Sequence, residues 1–273
     1  MISYQEKHDN ITDNNGIMKI YQTENHGREW YFNESSPFND KSLSFAYLTQ
    51  ALKKQPDNAW RAEGKEVKIN VNSTLDEKQW KNVEITGYAK IISAFNDHDN
   101  TTTSDDVVDD DLEIGWISRS GKHTSEDPCD GTAYIGSIDS NGTVSWKKEI
   151  WHTGGYTDER SKLKIADSII GRWIGWKTVT YNTDNDTAVK LESYIDNKND
   201  NYWIKVADVI DDKNWNAKAS DKEFNKAECG RDKDYVILSD RPWVTFRSDN
   251  IIWEFKNLSI REINPLEKIY NPP

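Results

Sequence analysis

Side chains that can move protons or neutralise charge recur along one short stretch of the chain. The candidate catalytic residues are Arg119, His123, Tyr134, His152 and Tyr156. An arginine can neutralise a carboxylate, while histidine and tyrosine are residues that commonly accept or donate protons in catalysis. These residue types are sufficient for acid–base chemistry, provided that the fold brings them together.

A second set of side chains suits the binding of a sugar. Its members are Lys147, Glu149, Trp151, Lys177, Glu192 and Tyr194. Aromatic rings stack on the C–H faces of sugars, whereas charged and amide groups bond to sugar hydroxyls. The chain holds 12 Trp, 12 Tyr and 7 Phe in 273 residues, more large rings than one core usually needs. Trp151, with Tyr134 and Tyr156, is therefore the expected aromatic platform.

The elements that must position these residues are β-strands. Residues 66–72 and 83–91 alternate strictly between apolar and polar side chains, the pattern of half-buried strands. The other strand candidates are residues 112–119, 132–139, 144–153, 173–182, 189–196, 203–209, 244–247 and 251–262. Short strands with turn signals at this spacing predict an all-β fold, an antiparallel β-sandwich.

One or two short helices complete the predicted fold. Residues 41–54 carry Leu43, Tyr47, Leu48, Ala51 and Leu52 at helical spacing, and residues 221–227 are a candidate for one further turn. We expect an irregular N-terminal extension over residues 1–28, a single sandwich domain over 29–263 and a tail over 264–273.

The sequence Asn141-Gly142 predicts a two-residue hairpin turn. That turn would place Tyr134 opposite Glu149 and Thr132 opposite Trp151. Because side chains alternate across a strand, these residues and Lys147 would share a polar face. The opposite face would hold Ala133, Ile135, Trp146 and Ile150 as core, with Lys148 as its one polar exception.

Other strands divide in the same way. In residues 189–196 the alternation directs Glu192 and Tyr194 outward, and the predicted hairpin partner, residues 173–182, contains Lys177. Arg119 falls on the face opposite Trp116. The core tryptophans predicted from apolar alternation are Trp116, Trp146, Trp176 and Trp253.

Several strand sequences resemble the concanavalin A-like jelly-roll superfamily. They are GRWIGWK at 171–177, KLESYID at 190–196, WIKV at 203–206, VTFRSD at 244–249 and FKNLSIREI at 255–263. Within that superfamily the chain looks most like extracellular carbohydrate-binding modules and polysaccharide lyases. The resemblance covers about residues 65 to 263 and implies the jelly-roll form of the sandwich.

The lyase resemblance implies β-elimination on a glycan that contains uronate. Arg119 or Lys147 would then neutralise the substrate carboxylate. His123 or His152 would take the proton, and Tyr134 or Tyr156 would protonate the leaving oxygen. The expected function is an extracellular carbohydrate-active protein with lyase activity.

Two other functions remain open, a non-catalytic carbohydrate-binding module or lectin and a structural protein of the cell surface. Hydrolysis by paired carboxylates is a minor alternative, since Glu192 and Asp196 have i, i+4 spacing. The expected partner is a polysaccharide or oligosaccharide. A formal net charge of -12 argues against nucleic acid, and no stretch is long and apolar enough for a membrane span.

Cys129 and Cys229 are sufficient for one disulfide, although two free thiols would also fit the sequence. A disulfide would indicate a secreted or cell-surface protein whose signal peptide, absent from this chain, had been removed. None of the functions above requires a cofactor. A structural calcium ion is the metal that the aspartates in residues 97–111, or Asp184 and Asp186, could hold.

Overall fold

The computed structural model describes residues 11–46, 52–73, 78–95, 112–122, 124, 126–150, 155–218, 220, 222 and 228–270. Within these residues the chain forms fifteen strands. They are β1 (Tyr21–Thr23), β2 (Glu29–Tyr31), β3 (Leu43–Ala46), β4 (Leu52–Lys54), β5 (Trp60–Asn72), β6 (Val83–Ala94), β7 (Glu113–Ser120), β8 (Thr132–Asp139), β9 (Thr143–Ile150), β10 (Gly155–Tyr156), β11 (Arg160–Lys164), β12 (Ile174–Asn182), β13 (Val189–Asp196), β14 (Ile204–Asp211) and β15 (Trp243–Lys268).

The strands pair antiparallel in two layers that share β15. The first sheet runs in the order β10, β9, β8, β7, β15, β5 and β3, and the second in the order β14, β13, β12, β6, β15 and β2. The 26-residue β15 contains the two segments that the sequence predicted as separate strands. Its left-handed residues, Asn250 and Asn257 (φ 55 and 54), are asparagines, which tolerate that backbone better than most side chains. The predicted all-β antiparallel sandwich is confirmed.

Aromatic side chains fill the space between the two sheets. The rings of Trp116 and Trp176, from the first and second sheets, stack with centroids 4.6 Å apart. Phe246 meets Trp116 edge to face at 5.6 Å. The predicted core positions of Trp116, Trp146, Trp176 and Trp253 are confirmed, because each of the four is fully buried. Burying these rings is a large part of the favourable free energy of folding.

The hairpin between β8 and β9 differs from the predicted one by one residue. Its loop contains three residues, 140–142, and the Gly142 N–H donates to the carbonyl of Asp139 at 2.8 Å. Gly142 adopts a left-handed backbone (φ 79), which is typical of the residue that closes a three-residue hairpin loop. The predicted two-residue turn is therefore wrong.

This one-residue shift of register turns the side chains of β8 to the opposite face from the one predicted. Tyr134 lies opposite Lys148 rather than Glu149, and Thr132 lies opposite Ile150 rather than Trp151. Tyr134 consequently faces the core, while Ala133 and Ile135 turn outward, contrary to prediction.

The helix predicted over residues 41–54 is wrong, because β3 and β4 occupy its ends and pair with β5. Residues 47–51 between them lie outside the described residues, as do 221 and 223–227 of the second helical candidate. Two 3-10 turns, Pro37–Asn39 and Asp184–Asp186, are found in the described chain. No helix in that part of the chain is long and apolar enough to cross a bilayer.

Residues 11–23 lie across the outer face of the second sheet. Ile17, Ile20 and Tyr21 are buried there in a cluster with Val179 and Trp203. This segment covers a sheet face that the alternation of the strands alone would leave to solvent. The division at residues 28 and 263 stays a prediction, and β15 continues to Lys268.

The predicted disulfide is confirmed between Cys129 and Cys229, whose Cα atoms are 5.6 Å apart. The bond joins the β7–β8 connection to the segment that precedes β15. The two cysteines are 100 residues apart in sequence. Closing so long a loop restricts the unfolded chain and stabilises the folded one.

We expect Trp176→Ala to lower the free energy of unfolding by about 3–5 kcal/mol, because it removes a fully buried ring that packs between the sheets. Urea unfolding with the disulfide intact measures the loss. Trp173→Ala is the control, since Trp173 is only partly buried. Equal losses in the two variants would contradict the placement of the core.

Candidate functional site

The outer face of the first sheet presents polar and aromatic side chains from β15. Val244 and Phe246 point into the core and are fully buried. Trp243, Thr245 and Arg247 alternate with them and therefore point to the outer face. The strand thus contributes a ring, a hydroxyl and a guanidinium in one row.

Neighbouring strands extend this row into a groove. Thr245 pairs with Asn70 of β5 on one side and with Ile117 of β7 on the other, and Arg247 pairs with Lys68. The cavity there has a volume of about 250 Å³. It is lined by Ala46, Lys68, Asn70, Ile117, Ser120, Gly121, Lys122, Thr124, Glu149, Trp243, Thr245 and Arg247. We call this surface the outer groove.

Arg247 is held in place at the floor of the outer groove. Its Nε and one terminal nitrogen donate to the two carboxylate oxygens of Asp249 at 2.8 and 3.0 Å, and Glu66 lies 3.2 Å away. Burial alone would lower the pKa of Arg247, but the hydrogen bonds and charge of Asp249 raise it above its ordinary value. The guanidinium is consequently a fixed positive charge.

A second cavity of about 600 Å³ adjoins the outer groove at Arg247. Its lining includes Glu66, Phe95 and Asn250. The two cavities share Arg247 as a lining residue. A ligand longer than either cavity could therefore lie across both.

Tyr156 lies on β10, where it pairs with Glu149, a residue that lines the outer groove. Its ring is 39% exposed, and the Nζ atom of Lys147 lies 5.6 Å from the ring centroid. Burial and the nearby charge of Glu149 raise the pKa of Tyr156, and a hydrogen bond from Arg247 opposes this rise. The phenol therefore remains protonated at neutral pH and can donate a proton.

The rim of the outer groove is formed by Trp243 and Lys122. The Lys122 ammonium lies 5.9 Å from the ring centroid of Trp243. The backbone N–H of Lys122 donates to Asp130 at 2.9 Å, and Arg241 reaches the same carboxylate at 3.8 Å. Cys129, beside Asp130, carries the disulfide, so the rim loop is tied to the body of the sandwich.

Three of the predicted site residues meet on this outer face: Lys147, Glu149 and Tyr156. The Lys147 ammonium lies 2.8 Å from Glu113, which also faces outward. Glu149 is only 8% exposed but lines the cavity. The structure therefore brings together a cation, a carboxylate and a phenol from the predicted set.

Arg119 does not join them. Its left-handed backbone (φ 51) interrupts the alternation of β7, so its side chain leaves the outer face. The buried guanidinium donates to the backbone carbonyls of Lys81 and Ile237. Burial lowers the pKa of Arg119 to about 10. The prediction from alternation that Arg119 shares a face with Glu113 is therefore wrong.

Tyr134 is also buried, as the shifted hairpin register requires. Its hydroxyl donates to Asp211 at 2.6 Å and accepts the N–H of Ile237 at 3.1 Å. The ring is 28° from parallel to that of Trp215. Tyr134 therefore lies inside the sandwich and away from the outer groove.

Lys177, Glu192 and Tyr194 lie on the outer face of the second sheet, where residues 11–23 cover them. The Lys177 ammonium is 2.9 Å from Glu84 and 2.8 Å from the Thr86 hydroxyl. Glu192 accepts hydrogen bonds from Tyr194 at 2.8 Å, Tyr21 at 2.9 Å and Lys205 at 2.6 Å, and the Lys268 ammonium lies 4.0 Å from its carboxylate. The outward direction of Glu192 and Tyr194 is confirmed, but their side chains form a buried polar network and not an open surface.

His123, Trp151 and His152 lie outside the described residues. The aspartates of residues 97–111 do so as well. Asp186 accepts hydrogen bonds from Asn182 at 2.8 Å and Lys81 at 3.4 Å. Among the described residues, no three His, Cys, Asp or Glu side chains are grouped as metal ligands, and the calcium site stays a prediction.

Sequence reasoning missed the residues at the centre of the outer groove. Arg247, Thr245 and Trp243 belong to a predicted strand or its border, and Asn70 to the strictly alternating residues 66–72. Alternation along each strand was sufficient to predict that these polar side chains lie on one face of that strand. What the sequence did not show is that β5 and β15 are neighbours, since they are far apart in the chain.

No protein-family model matches the chain, and no curated protein is similar to it. Several solved structures are similar in fold. An alginate lyase from a Chlorella virus is 9% identical, with a TM-score of 0.43 over 85% of this chain and 98% of that one. A Bacillus subtilis protein with a galectin-like fold is 9% identical, with a TM-score of 0.42 over 89% and 98%. The Lotus tetragonolobus seed lectin is 10% identical, with a TM-score of 0.40 over 86% and 96%. Likenesses of this size say nothing about function, which has to follow from the residues of the groove.

The buried network of the second sheet predicts a pH dependence of stability. Glu84 is fully buried, and although burial opposes it, the charges of Arg261 and Lys177 lower its pKa from 4.5 to about 2. A lowered carboxyl pKa stabilises the fold above the unfolded value of 4.5, and this stabilisation is lost as the pH falls toward 2.

We expect Glu84→Gln to cost about 3–5 kcal/mol at pH 7, because it leaves two buried cations without their carboxylate. The variant should also lose less stability than the unchanged protein between pH 5 and about 3. Urea unfolding at several pH values measures both effects. Glu267→Gln, at an exposed position, is the control, and equal behaviour of the two variants would refute the role of Glu84.

Proposed function

We propose that this protein binds a polysaccharide along the outer groove of the first sheet. The observation that carries the proposal is the position of Arg247, a fixed cation at the point where two open cavities meet. Around it lie an aromatic ring and a hydroxyl from β15, an amide from β5 and a carboxylate from β9. Such a mixture of rings and convergent polar groups suits a sugar chain.

The shape of the site favours a polymer over a single sugar. Trp243 lines the first cavity, Asn250 lines the second, and Arg247 lines both. An extended chain can contact the rim and the second cavity at the same time. Each added sugar would then contribute contacts to a surface that is already formed.

The disulfide supports a place outside the cell or on its surface, because such bonds persist in oxidising compartments. The net charge of -12 disfavours nucleic acid as the polymer. In the outer groove, Arg247 is paired with Asp249 and Glu66, Lys68 is paired with Glu66, and Glu149 lines the same cavity as Lys122, so charges of both signs are present. We therefore propose a glycan of mixed character, with neutral as well as acidic sugars, as the partner.

Arg247→Ala should weaken glycan binding about tenfold or more, because a charge-assisted hydrogen bond contributes roughly 1.5–3 kcal/mol. Calorimetry with a panel of acidic and neutral polysaccharides measures the affinity, and the fluorescence of Trp243 gives a second signal. Arg172→Ala is the matched control, since Arg172 is exposed and belongs to neither cavity. Thermal unfolding of each variant separates lost binding from lost folding.

Absence of binding across the whole panel would overturn the proposed function. Unchanged affinity in Arg247→Ala would place the ligand elsewhere on the molecule. Equal weakening in Arg172→Ala would show a non-specific effect of charge.

Lyase activity is a second candidate, favoured by the contact between Tyr156 and Arg247. In this proposal Arg247 neutralises the uronate carboxylate, which makes the neighbouring C5 proton more acidic. A base takes that proton, the bond from C4 to the leaving oxygen breaks, and Tyr156 donates its phenolic proton to that oxygen. Glu149, opposite Tyr156, is the described residue that could serve as base, and His123 and His152 stay candidates from the sequence.

Tyr156→Phe should reduce turnover by about 10²–10⁴-fold while affinity for the glycan changes little, because only the proton donor is removed. The ultraviolet absorbance of the unsaturated product measures turnover. Tyr202→Phe is the control, as Tyr202 is exposed and lies between β13 and β14 of the second sheet. Binding without any product in the unchanged protein would refute the lyase and leave the binding module.

A further inference from the structure

Lys148 and Asp211 form a fully buried pair at one edge of the sandwich. Lys148 belongs to β9 of the first sheet and Asp211 ends β14 of the second. The Lys148 Nζ atom lies 2.9 Å from Asp211 Oδ2, and both side chains have no exposed surface. Lys148 is the residue that the sequence marked as a polar exception on an apolar face, and the structure places it inside.

The surroundings of this pair are mainly apolar. Trp146, Val209, Trp215 and Ile237 belong to the cluster that encloses it. The Lys148 ammonium lies 5.7 Å from the ring centroid of Trp215. An apolar enclosure disfavours separated charges and excludes water.

Few polar groups support the carboxyl group of Asp211. Tyr134 donates to Oδ2 at 2.6 Å, the same oxygen that Lys148 approaches. The other oxygen, Oδ1, is buried and has no hydrogen-bond partner among the described residues. Lys148 makes one further hydrogen bond, to the carbonyl oxygen of Tyr235 at 2.8 Å.

The buried pair of Lys177 and Glu84 offers a direct comparison within the same molecule. Glu84 interacts with Lys177 and Arg261 and accepts the N–H groups of Ile20 and Tyr21. These contacts favour the charged carboxylate, and the pKa of Glu84 falls to about 2. Lys177 and Glu84 therefore remain an ion pair.

The pKa of Asp211 is shifted in the opposite sense to that of Glu84, whereas burial lowers the pKa of Lys177 as it does that of Lys148. Burial lowers the pKa of Lys148 and raises the pKa of Asp211, and the attraction between them opposes both shifts. Transfer of one proton along the 2.9 Å contact converts the ion pair into an amine and a carboxylic acid. These neutral forms are the ones that react to give an amide.

We propose that Lys148 and Asp211 condense to form an intramolecular isopeptide bond. The lone pair of the Lys148 Nζ attacks Asp211 Cγ, and a C–N bond forms. One C–O bond of the carboxylic acid breaks, and its hydroxyl leaves as water with one proton from the amine. No oxidant or cofactor is needed. Oδ2 receives the proton from Lys148 and is the oxygen that leaves as water, and the Tyr134 hydroxyl, which donates to Oδ2, assists its departure.

The bond would join the two sheets where only side chains now connect β9 to β14. The linked residues are 63 positions apart, so the bond would close a long loop in addition to the loop closed by the disulfide. Both links restrict the unfolded chain. A protein exposed to conditions outside the cell would gain resistance to unfolding that reduction of the disulfide could not remove.

Intact-protein mass spectrometry of the reduced, alkylated protein tests this proposal. The expected mass is that of the sequence with its two cysteines alkylated, less one water. Lys148→Arg should restore the full mass of its sequence, because a guanidinium does not form the amide. Lys177→Arg is the matched control and should keep the mass deficit, since Lys177 stays in an ion pair.

Peptide mapping of the unchanged protein gives the second measurement, and it does not depend on the folding of any variant. The expected product is a branched peptide in which trypsin leaves the bond after Lys148 uncut. A full mass in the folded, unchanged protein would overturn the proposal. A deficit that persists in Lys148→Arg, or that maps to an aspartyl succinimide in a linear peptide, would overturn it as well.

Discussion

The close packing of two sheets through their aromatic side chains is the constraint on which the rest of this structure depends. Trp116 and Trp176 stack between the layers, and Phe246 closes the contact from β15. Each strand must direct its apolar side chains to this interface, because removing large rings from water dominates the favourable free energy of folding. Alternation then sends the intervening polar residues to the outside.

The outer faces of the two sheets differ in exposure, although the same alternation of side chains produces both. On the first sheet the face remains open, and Arg247, Asn70 and Glu149 line a groove. On the second sheet, residues 11–23 cover the face and convert similar residue types into a buried network around Glu84 and Glu192. A lysine or glutamate on the outer face of a strand can therefore contact a ligand where the face is open, or form a structural ion pair where another segment of the chain covers it.

Buried polar groups also differ in how completely they are satisfied. Glu84 has two cationic partners and two backbone donors, which hold it charged. Asp211 has a single cation and a phenol, inside an apolar cluster. The first arrangement stabilises an ion pair, whereas the second favours neutral and reactive partners. The distinction comes from the number of donors around each carboxylate and not from burial, which is complete for both.

Alternation and turn residues determined the all-β class, most strand positions, the pairing of β12 with β13 and the four core tryptophans, because these depend on neighbours along the chain. The hairpin loop of β8 and β9 was decided by tertiary packing. Only the three-residue loop places Ile138, Val144 and Trp146 together inside, and this moved Tyr134 away from the surface. Arg119 does not lie on its predicted face, because its own backbone is left-handed. The groove around Arg247 and the segment that covers Lys177 could not be predicted from the sequence, since both depend on contacts between segments that are distant in the chain.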